Sequence, residues 1–234
     1  MLFGYFWGDW TLIIVLPALI FTMWTQFSVQ STYQKYSQMR NSRGLTGADA
    51  ARMILNEHGL YNVRIEPIHG HLNDHYDPRA NVIRLSDNVF GGSSVAALGV
   101  AAHEAGHAIQ YATEYSAIRL RNSILPVCRV GSVAAMPLFL IGLFLASDPL
   151  MLAGIAAYCI VTLFQLLTLP VEFDASRRAI AALEGSGYLY DKEADGVRRV
   201  LRAAAMTYVA ALATSLLTLL RLLVLVSASN DRRR

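Results

Sequence analysis

Charge is scarce in this chain. Of its 234 residues only 16% are Asp, Glu, Lys or Arg, against 54% that are hydrophobic. Mean hydropathy is +0.37. So little charge leaves more apolar surface than one soluble core can hide, which excludes an ordinary water-soluble domain and points to membrane spans. The formal net charge is only +3, and no compact Lys/Arg tract lies beside exposed aromatics, so nucleic-acid binding is not expected. Cysteine is nearly absent. Cys128 and Cys159 have no neighbouring Cys or His at metal-ligand spacing and read as small buried apolar residues. No basic segment precedes the first apolar run and no small-residue cleavage site follows it, so a removable signal peptide is not expected. Internal repeats and low-complexity stretches are also missing.

What is present is a set of four apolar runs, roughly Trp10 to Phe27, Val130 to Ser147, Pro149 to Pro170, and Ala203 to Leu220 or Ser227. Each approaches the ~20 residues that a helix needs to cross the hydrocarbon core. Trp7, Trp10 and Trp24 sit near the ends of the first run, as interfacial aromatics do. Only Ser147-Asp148-Pro149 separates the second and third, which predicts a tight helical hairpin. The runs hold almost no ionisable residue apart from Arg221, which argues against a transporter. Arg221 itself reads either as functional or as snorkelling towards a helix end.

Two polar segments lie between the runs. In the first, Thr46-Gly-Ala-Asp49 is a capping-box pattern that opens a helix ending near His58, with Gly59 as its stop. Residues 63–68 alternate like a strand that Pro67 confines to a sheet edge. Asn81 to Ser86 is a second strand candidate, read either as an edge for an extended substrate or as plain sheet core. Ser93 and Ser94 are N-cap candidates for the helix that follows. The second polar segment is predicted to be helical on both sides of a break at Glu184-Gly-Ser-Gly187.

The expected fold is therefore mainly α: a four-transmembrane-helix integral membrane protein with a small α+β zincin-like cytoplasmic domain. Its expected division is an N-terminal span at 1–28, the cytoplasmic domain at 29–129, a transmembrane hairpin at 130–170, a cytoplasmic segment at 171–202, and a final span with a basic tail at 203–234. Nearly all Lys and Arg fall in the two polar segments, which places both in the cytoplasm. The arginines at 232–234 run against that rule.

The polar segments hold the chemistry. In Val100-Ala-Ala-His-Glu-Ala-Gly-His-Ala-Ile-Gln110, His103 and His107 are four residues apart. On a helix that spacing sets them on one face, about 6 Å apart along the axis, so both can reach one ion. Glu104 lies beside them, placed to take a proton from a water on that ion. Gly106 is a costly residue inside a helix, by about 1 kcal/mol, and so marks a place where something approaches closely.

A catalytic zinc takes three protein ligands and keeps one position open. Glu172 is the third-ligand candidate. Pro170 is placed to open a new helical turn where the third run ends, and a hairpin of two crossings returns Glu172 to the histidines' side of the membrane. Glu193 is a rival on the same side, although its charged neighbours suggest a solvated face. Asp174 is a second rival, better placed to orient a ligating histidine. His69, His71 and His75, with Asp74 and Asp77, form a cluster read as a turn held by Asx-type hydrogen bonds rather than a second metal site. Arg177 and Arg178 read as partners for a developing oxyanion or a substrate carboxylate, or as lipid-headgroup anchors.

Asp74-His-Tyr-Asp-Pro-Arg79, the 100–110 segment, Leu169-Pro-Val-Glu-Phe-Asp-Ala-Ser-Arg-Arg178 and Ala203-Ala-Ala-Met-Thr-Tyr-Val-Ala-Ala211 together resemble the YugP-type neutral zinc metallopeptidases of bacterial membranes. The likeness follows the same order over almost the whole chain. It implies a membrane-embedded zinc peptidase with His103 and His107 as ligands to Zn²⁺ and Glu104 as base. The Glu172 segment is more distantly similar to the Glu-x-Glu-Ala-Asp element of HtpX-type membrane proteases, in which the first Glu is the third ligand, and that maps onto Glu172. Ser176 stands where that group has Asp.

The function these features lead us to expect is a gluzincin-like zinc endopeptidase. It would be multi-pass in the bacterial inner membrane, with its site facing the cytoplasm and membrane-associated proteins or peptides as substrates. The alternative is a catalytically silent zinc-binding membrane scaffold or adaptor, whose ion would have a fourth protein ligand such as His75. Beyond the lipid bilayer and a peptide substrate the sequence names no partner and no oligomeric state.

Overall fold

The computed structural model describes residues 10–70, 73–185, 187 and 189–231. Trp7, His71 and the arginines at 232–234 lie outside these residues. The elements in chain order are α1 (Leu12–Ser37), α2 (Gly47–Glu57), β1 (Arg64–Ile68), β2 (His75–Asp77), β3 (Val82–Ser86), α3 (Asp87–Phe90), α4 (Val95–Ala112), α5 (Ser116–Phe144), α6 (Asp148–Gly185) and α7 (Asp191–Asp231). The protein is mainly helical, and α1, α5, α6 and α7 are each long and apolar enough to cross a membrane. The chain divides into two compact units. One comprises Met1–Trp24, Leu120–Thr168 and Thr207–Arg234, the other Thr25–Arg119 and Leu169–Met206.

In the first unit the helices turn large apolar side chains outward. Ile13, Met23, Val130, Val133 and Phe144 are all exposed, as suits helices solvated by lipid rather than water. Cys159 is exposed as well, against the burial expected of it, whereas Cys128 is buried. Its place in a lipid-compatible helix explains this, since an apolar thiol there needs no protein cover. The hairpin forms as expected. Its turn passes through Ala146 at φ +53°, and the Ser147 amide donates to the Gly142 carbonyl at 2.8 Å. The arms meet closely, because a Cβ on Gly154 would lie 2.6 Å from the Phe139 amide nitrogen. Hydroxyl pairs link further helices: Thr22 with Thr214 at 3.1 Å and Thr162 with Ser215 at 2.7 Å. Arg221 does not stand alone in its span, since its Nε donates to Thr11 Oγ1 at 3.1 Å.

The second unit has a conventional core. Ile54 and Leu55 of α2, Ile83 and Leu85 of β3, Leu98 of α4, Leu183 of α6 and Val197 of α7 are all buried together. Thr46 and Asp49 close a capping box at the start of α2, and Ser94 caps α4 by accepting from the Ala97 amide at 3.1 Å. The sheet order is β1-β3-β2, with β1 parallel and β2 antiparallel to β3. Pro67 thus lies on an edge strand, as expected. The strand over 81–86 is the central one, so it is sheet core and cannot serve as an edge for a substrate. Both of its hydrogen-bonding sides are taken.

The cluster around Asp74 and Asp77 is partly a strand, because β2 runs through His75. The Asx turn follows it, with Asp77 Oδ1 accepting from the amides of Arg79 at 3.0 Å and Ala80 at 3.3 Å. Asp74 accepts from the Ser86 amide at 2.7 Å, which ties this strand to the end of β3.

Pro170 does not open a new helix. It lies inside α6, which is continuous from Asp148 to Gly185. A proline removes one backbone donor, but the bonds on either side can carry a helix through it when packing holds the segment. Glu172 is therefore a mid-helix residue, not an N-terminal one.

A close crossing of α4 and α6 within this unit positions the residues that matter most. A Cβ built on Gly106 would lie 2.5 Å from the Ala175 carbonyl oxygen and 3.2 Å from its carbon. Both atoms are backbone and cannot rotate away. Gly106→Ala gains about 1 kcal/mol in helix propensity but forces the helices apart, an overpacking cost of about 1–3 kcal/mol. Net destabilisation in thermal unfolding is the expected result. A variant at least as stable as the parent would show that the two helices do not meet there.

Candidate metal centre

The site forms within the second unit, from one face of α4 and one turn of α6. Helical spacing puts His103 and His107 in neighbouring turns, their rings edge to face with centroids 4.7 Å apart. Glu172 comes to them across the close contact at Gly106. Its Oε2 lies 3.3 Å from His103 Nε2 and 3.6 Å from His107 Nε2. One ligand atom from each of the three residues falls within 4.8 Å of the others, and this is the group of three among the described residues that could hold a metal ion.

The separations say what the group is suited to hold. Good N–H···O hydrogen bonds measure about 2.7–3.2 Å, so the 3.3 Å contact is a long hydrogen bond and the 3.6 Å one lies beyond that range. A tetrahedral zinc with ligand bonds of about 2.0–2.1 Å spaces adjacent ligand atoms by about 3.3–3.4 Å. The separations of Glu172 from the two imidazoles are close to the edge length of such a tetrahedron, and the donor set of two nitrogens and one oxygen suits the ion.

Electrostatics agree. Burial disfavours a charged ring at His107, but the carboxylates of Glu172 and Glu104 outweigh it and raise its proton affinity above that of an ordinary histidine. The surroundings of His107 thus favour positive charge.

Glu104 is buried, with 7% of its surface exposed, and its carboxylate has no hydrogen-bond partner among the described residues. It stands beside the two rings, and its charge raises the proton affinity of His107.

The rivals for third ligand are engaged elsewhere. Glu193 is buried rather than solvated. Its Oε1 accepts from the Ser42 amide at 2.7 Å and its Oε2 from the Tyr190 amide at 3.0 Å, so it caps the start of α7 and pins the 42 loop. Asp174 touches no histidine. It accepts from Arg178 Nε at 2.6 Å, from Arg177, and from Gln110 Nε2 at 3.0 Å. Both arginines thereby pair with Asp174, and Arg178 also lies over the Tyr115 ring at 5.7 Å. His75 stands outside the group, with its Nδ1 on the Asn73 carbonyl at 2.7 Å.

Two residues that support the histidines were not singled out for this from sequence. Ser176 Oγ lies 3.2 Å from His103 Nδ1, so the hydroxyl reaches the ring. Gln110 Oε1 lies 3.0 Å from His107 Nδ1. The signal for Gln110 was available, since it follows His107 by three residues on one helix and so shares its face.

Comparison with known proteins adds an independent line. The chain is 45% identical over 218 residues to the "Putative membrane protease YugP" of Bacillus subtilis (strain 168), an overlap of 93% of this chain and 97% of that one. No solved structure matches it. Residues 11–227 match the family described as "Putative neutral zinc metallopeptidase". With four apolar helices and a membrane protease as a near relative, this is a multi-pass membrane protein, and the chain belongs to that zinc metallopeptidase family.

Proposed function

We propose that the protein is a membrane-bound zinc endopeptidase that hydrolyses peptide bonds of membrane-associated proteins or peptides. The observation that carries this reading is the convergence of Glu172 on His103 and His107 beside a Glu104 without hydrogen bonds. In this reading His103, His107 and Glu172 hold the ion. Zinc, when bound, supplies Lewis acidity that lowers the pKa of a water and polarises a carbonyl. Glu104 takes the proton from the attacking water and delivers it to the leaving amine. Burial of the site strengthens each of these electrostatic effects relative to bulk water.

Two features favour catalysis over a silent scaffold. The group comprises three ligands among the described residues, whereas a structural zinc site closes with four. Glu104 would have no role in a purely structural site. The distribution of Lys and Arg supports a cytoplasmic site in the bacterial inner membrane. Along α6, Glu172 follows the last residue of the apolar run by two positions, which favours substrates held at or near a bilayer.

Glu104→Gln keeps the shape of the side chain and removes the base. It is expected to lower turnover of a peptide substrate by about 10²–10⁴-fold while one zinc per chain remains bound, read by metal analysis and a cleavage assay in detergent. Turnover within a few-fold of the parent would remove the mechanism.

Glu172→Gln is expected to weaken zinc by more than about 100-fold, beyond what loss of a supporting hydrogen-bond partner costs. Competition with a chromogenic chelator measures this, and unchanged affinity would take Glu172 out of the ligand set. Chelation should abolish cleavage, and zinc should restore it. A zinc-loaded protein that cleaves no membrane-associated substrate would favour the scaffold reading.

A further inference from the structure

Gln110 is completely buried and its amide is fully used. Its Nε2 donates to the Val171 carbonyl at 2.8 Å and to Asp174 Oδ2 at 3.0 Å, while its Oε1 faces His107 Nδ1 at 3.0 Å. An amide's oxygen and nitrogen are told apart by their partners, and here the partners leave no choice. A backbone carbonyl and a carboxylate held by two arginines can only accept, so the NH₂ group must face them. The oxygen is then turned to His107. Because that oxygen can only accept, Nδ1 must carry the hydrogen, and the lone pair of the ring falls on Nε2, the atom that faces Glu172.

Ser176 imposes no such constraint on His103. A hydroxyl both donates and accepts, so it suits either tautomer. The tautomer is dictated at His107.

We infer that Gln110 is a positioning residue that fixes His107 with its Nε2 lone pair directed at the metal, through a neutral amide anchored to α6. This rests on the metal reading above and adds an assignment to it. A carboxylate in this place would add negative charge next to a ligand and raise its basicity. Here the charged member of the chain, Asp174, lies one residue further out and is balanced by Arg177 and Arg178. The ring is oriented without that added charge. Two of the three bonds of Gln110 go to α6, the helix that supplies Glu172, so one side chain sets both the angle of a ligand on α4 and its register against α6.

Two variants of the full-length protein in detergent test the assignment. Gln110→Met keeps the length and removes every hydrogen bond. Gln110→Glu keeps an acceptor for His107 and gives up the amide donors. Zinc affinity is measured by competition with a chromogenic chelator, and thermal stability is measured without metal. Gln110→Met should bind zinc about 10–100-fold more weakly than the parent, and Gln110→Glu should lie between the two. If Gln110 only packs the interface, Gln110→Glu, with a buried charge beside Asp174, would bind no better than Gln110→Met.

Parent-like affinity in Gln110→Met, or Gln110→Glu no better than Gln110→Met, would overturn the inference. Should Gln110→Met fail to fold, Gln110→Glu decides alone: affinity within about tenfold of the parent supports the role, and any greater loss refutes it. A parent that takes up no zinc would sink the metal reading and this inference with it. A zinc-binding parent with an indifferent Gln110→Met would sink this inference alone.

Discussion

The site depends on how closely α4 and α6 approach. Where they cross, one helix offers Gly106 and the other the backbone of Ala175, with no room for a Cβ between them. Ala101, Ala102, Ala105 and Ala108 are buried around that point. Small residues over one face of a helix forgo much of the burial that Leu or Ile would contribute. What they permit is proximity. A glutamate on a neighbouring helix has a short reach, and Glu172 comes within 3.3 Å and 3.6 Å of two imidazoles only because the backbones are nearly in contact.

The second unit buries several carboxylates, and each is compensated differently. Asp174 has two guanidinium groups and an amide, which makes it a fixed anchor. Glu193 has two backbone amides and is a cap. Glu172 has two imidazoles at distances too long for good hydrogen bonds and suited to sharing an ion. Glu104 has no hydrogen-bond partner among the described residues. Four acidic groups of similar burial thus differ in their partners, which separate them where burial does not.

Much of this was legible in the sequence wherever the signal was local. The helical spacing of His103 and His107, the capping box at Thr46 and Asp49, the cap at Ser94 and the two-crossing hairpin need only neighbouring residues or segment lengths. The encounter with Glu172 was legible for a different reason, because counting membrane crossings restricts which segments can meet. Other readings turned on packing and partners that the local sequence does not show. Pro170 reads as a helix start until the packing that carries α6 through it is known. Glu193 reads as solvated because its neighbours in sequence are charged, while its partners come from residue 42 and from the start of its own helix. Whether the strand over 81–86 is central or at an edge depends on a three-residue strand, β2, that is too short to announce itself. Gln110 was visible at helical spacing from His107, but its importance lies in Val171 and Asp174, more than sixty positions away.

The two units reach tight helix packing under different driving forces. In the second unit water expels the apolar side chains of the sheet, α2 and α4, and close contact follows from burial. In the first, apolar faces meet a lipid that is as apolar as they are, so burial contributes little to association. There the contact must come from fit and from polar pairs: Gly154 against Phe139, Thr162 with Ser215 and Thr22 with Thr214. Helix α6 takes part in both, supplying Gly154 where it needs close packing without a hydrophobic drive and Glu172 where the ligands converge. A helix with both tasks cannot be read from its apolar character alone, because its end in the second unit packs on Gly106 and is bonded by Gln110.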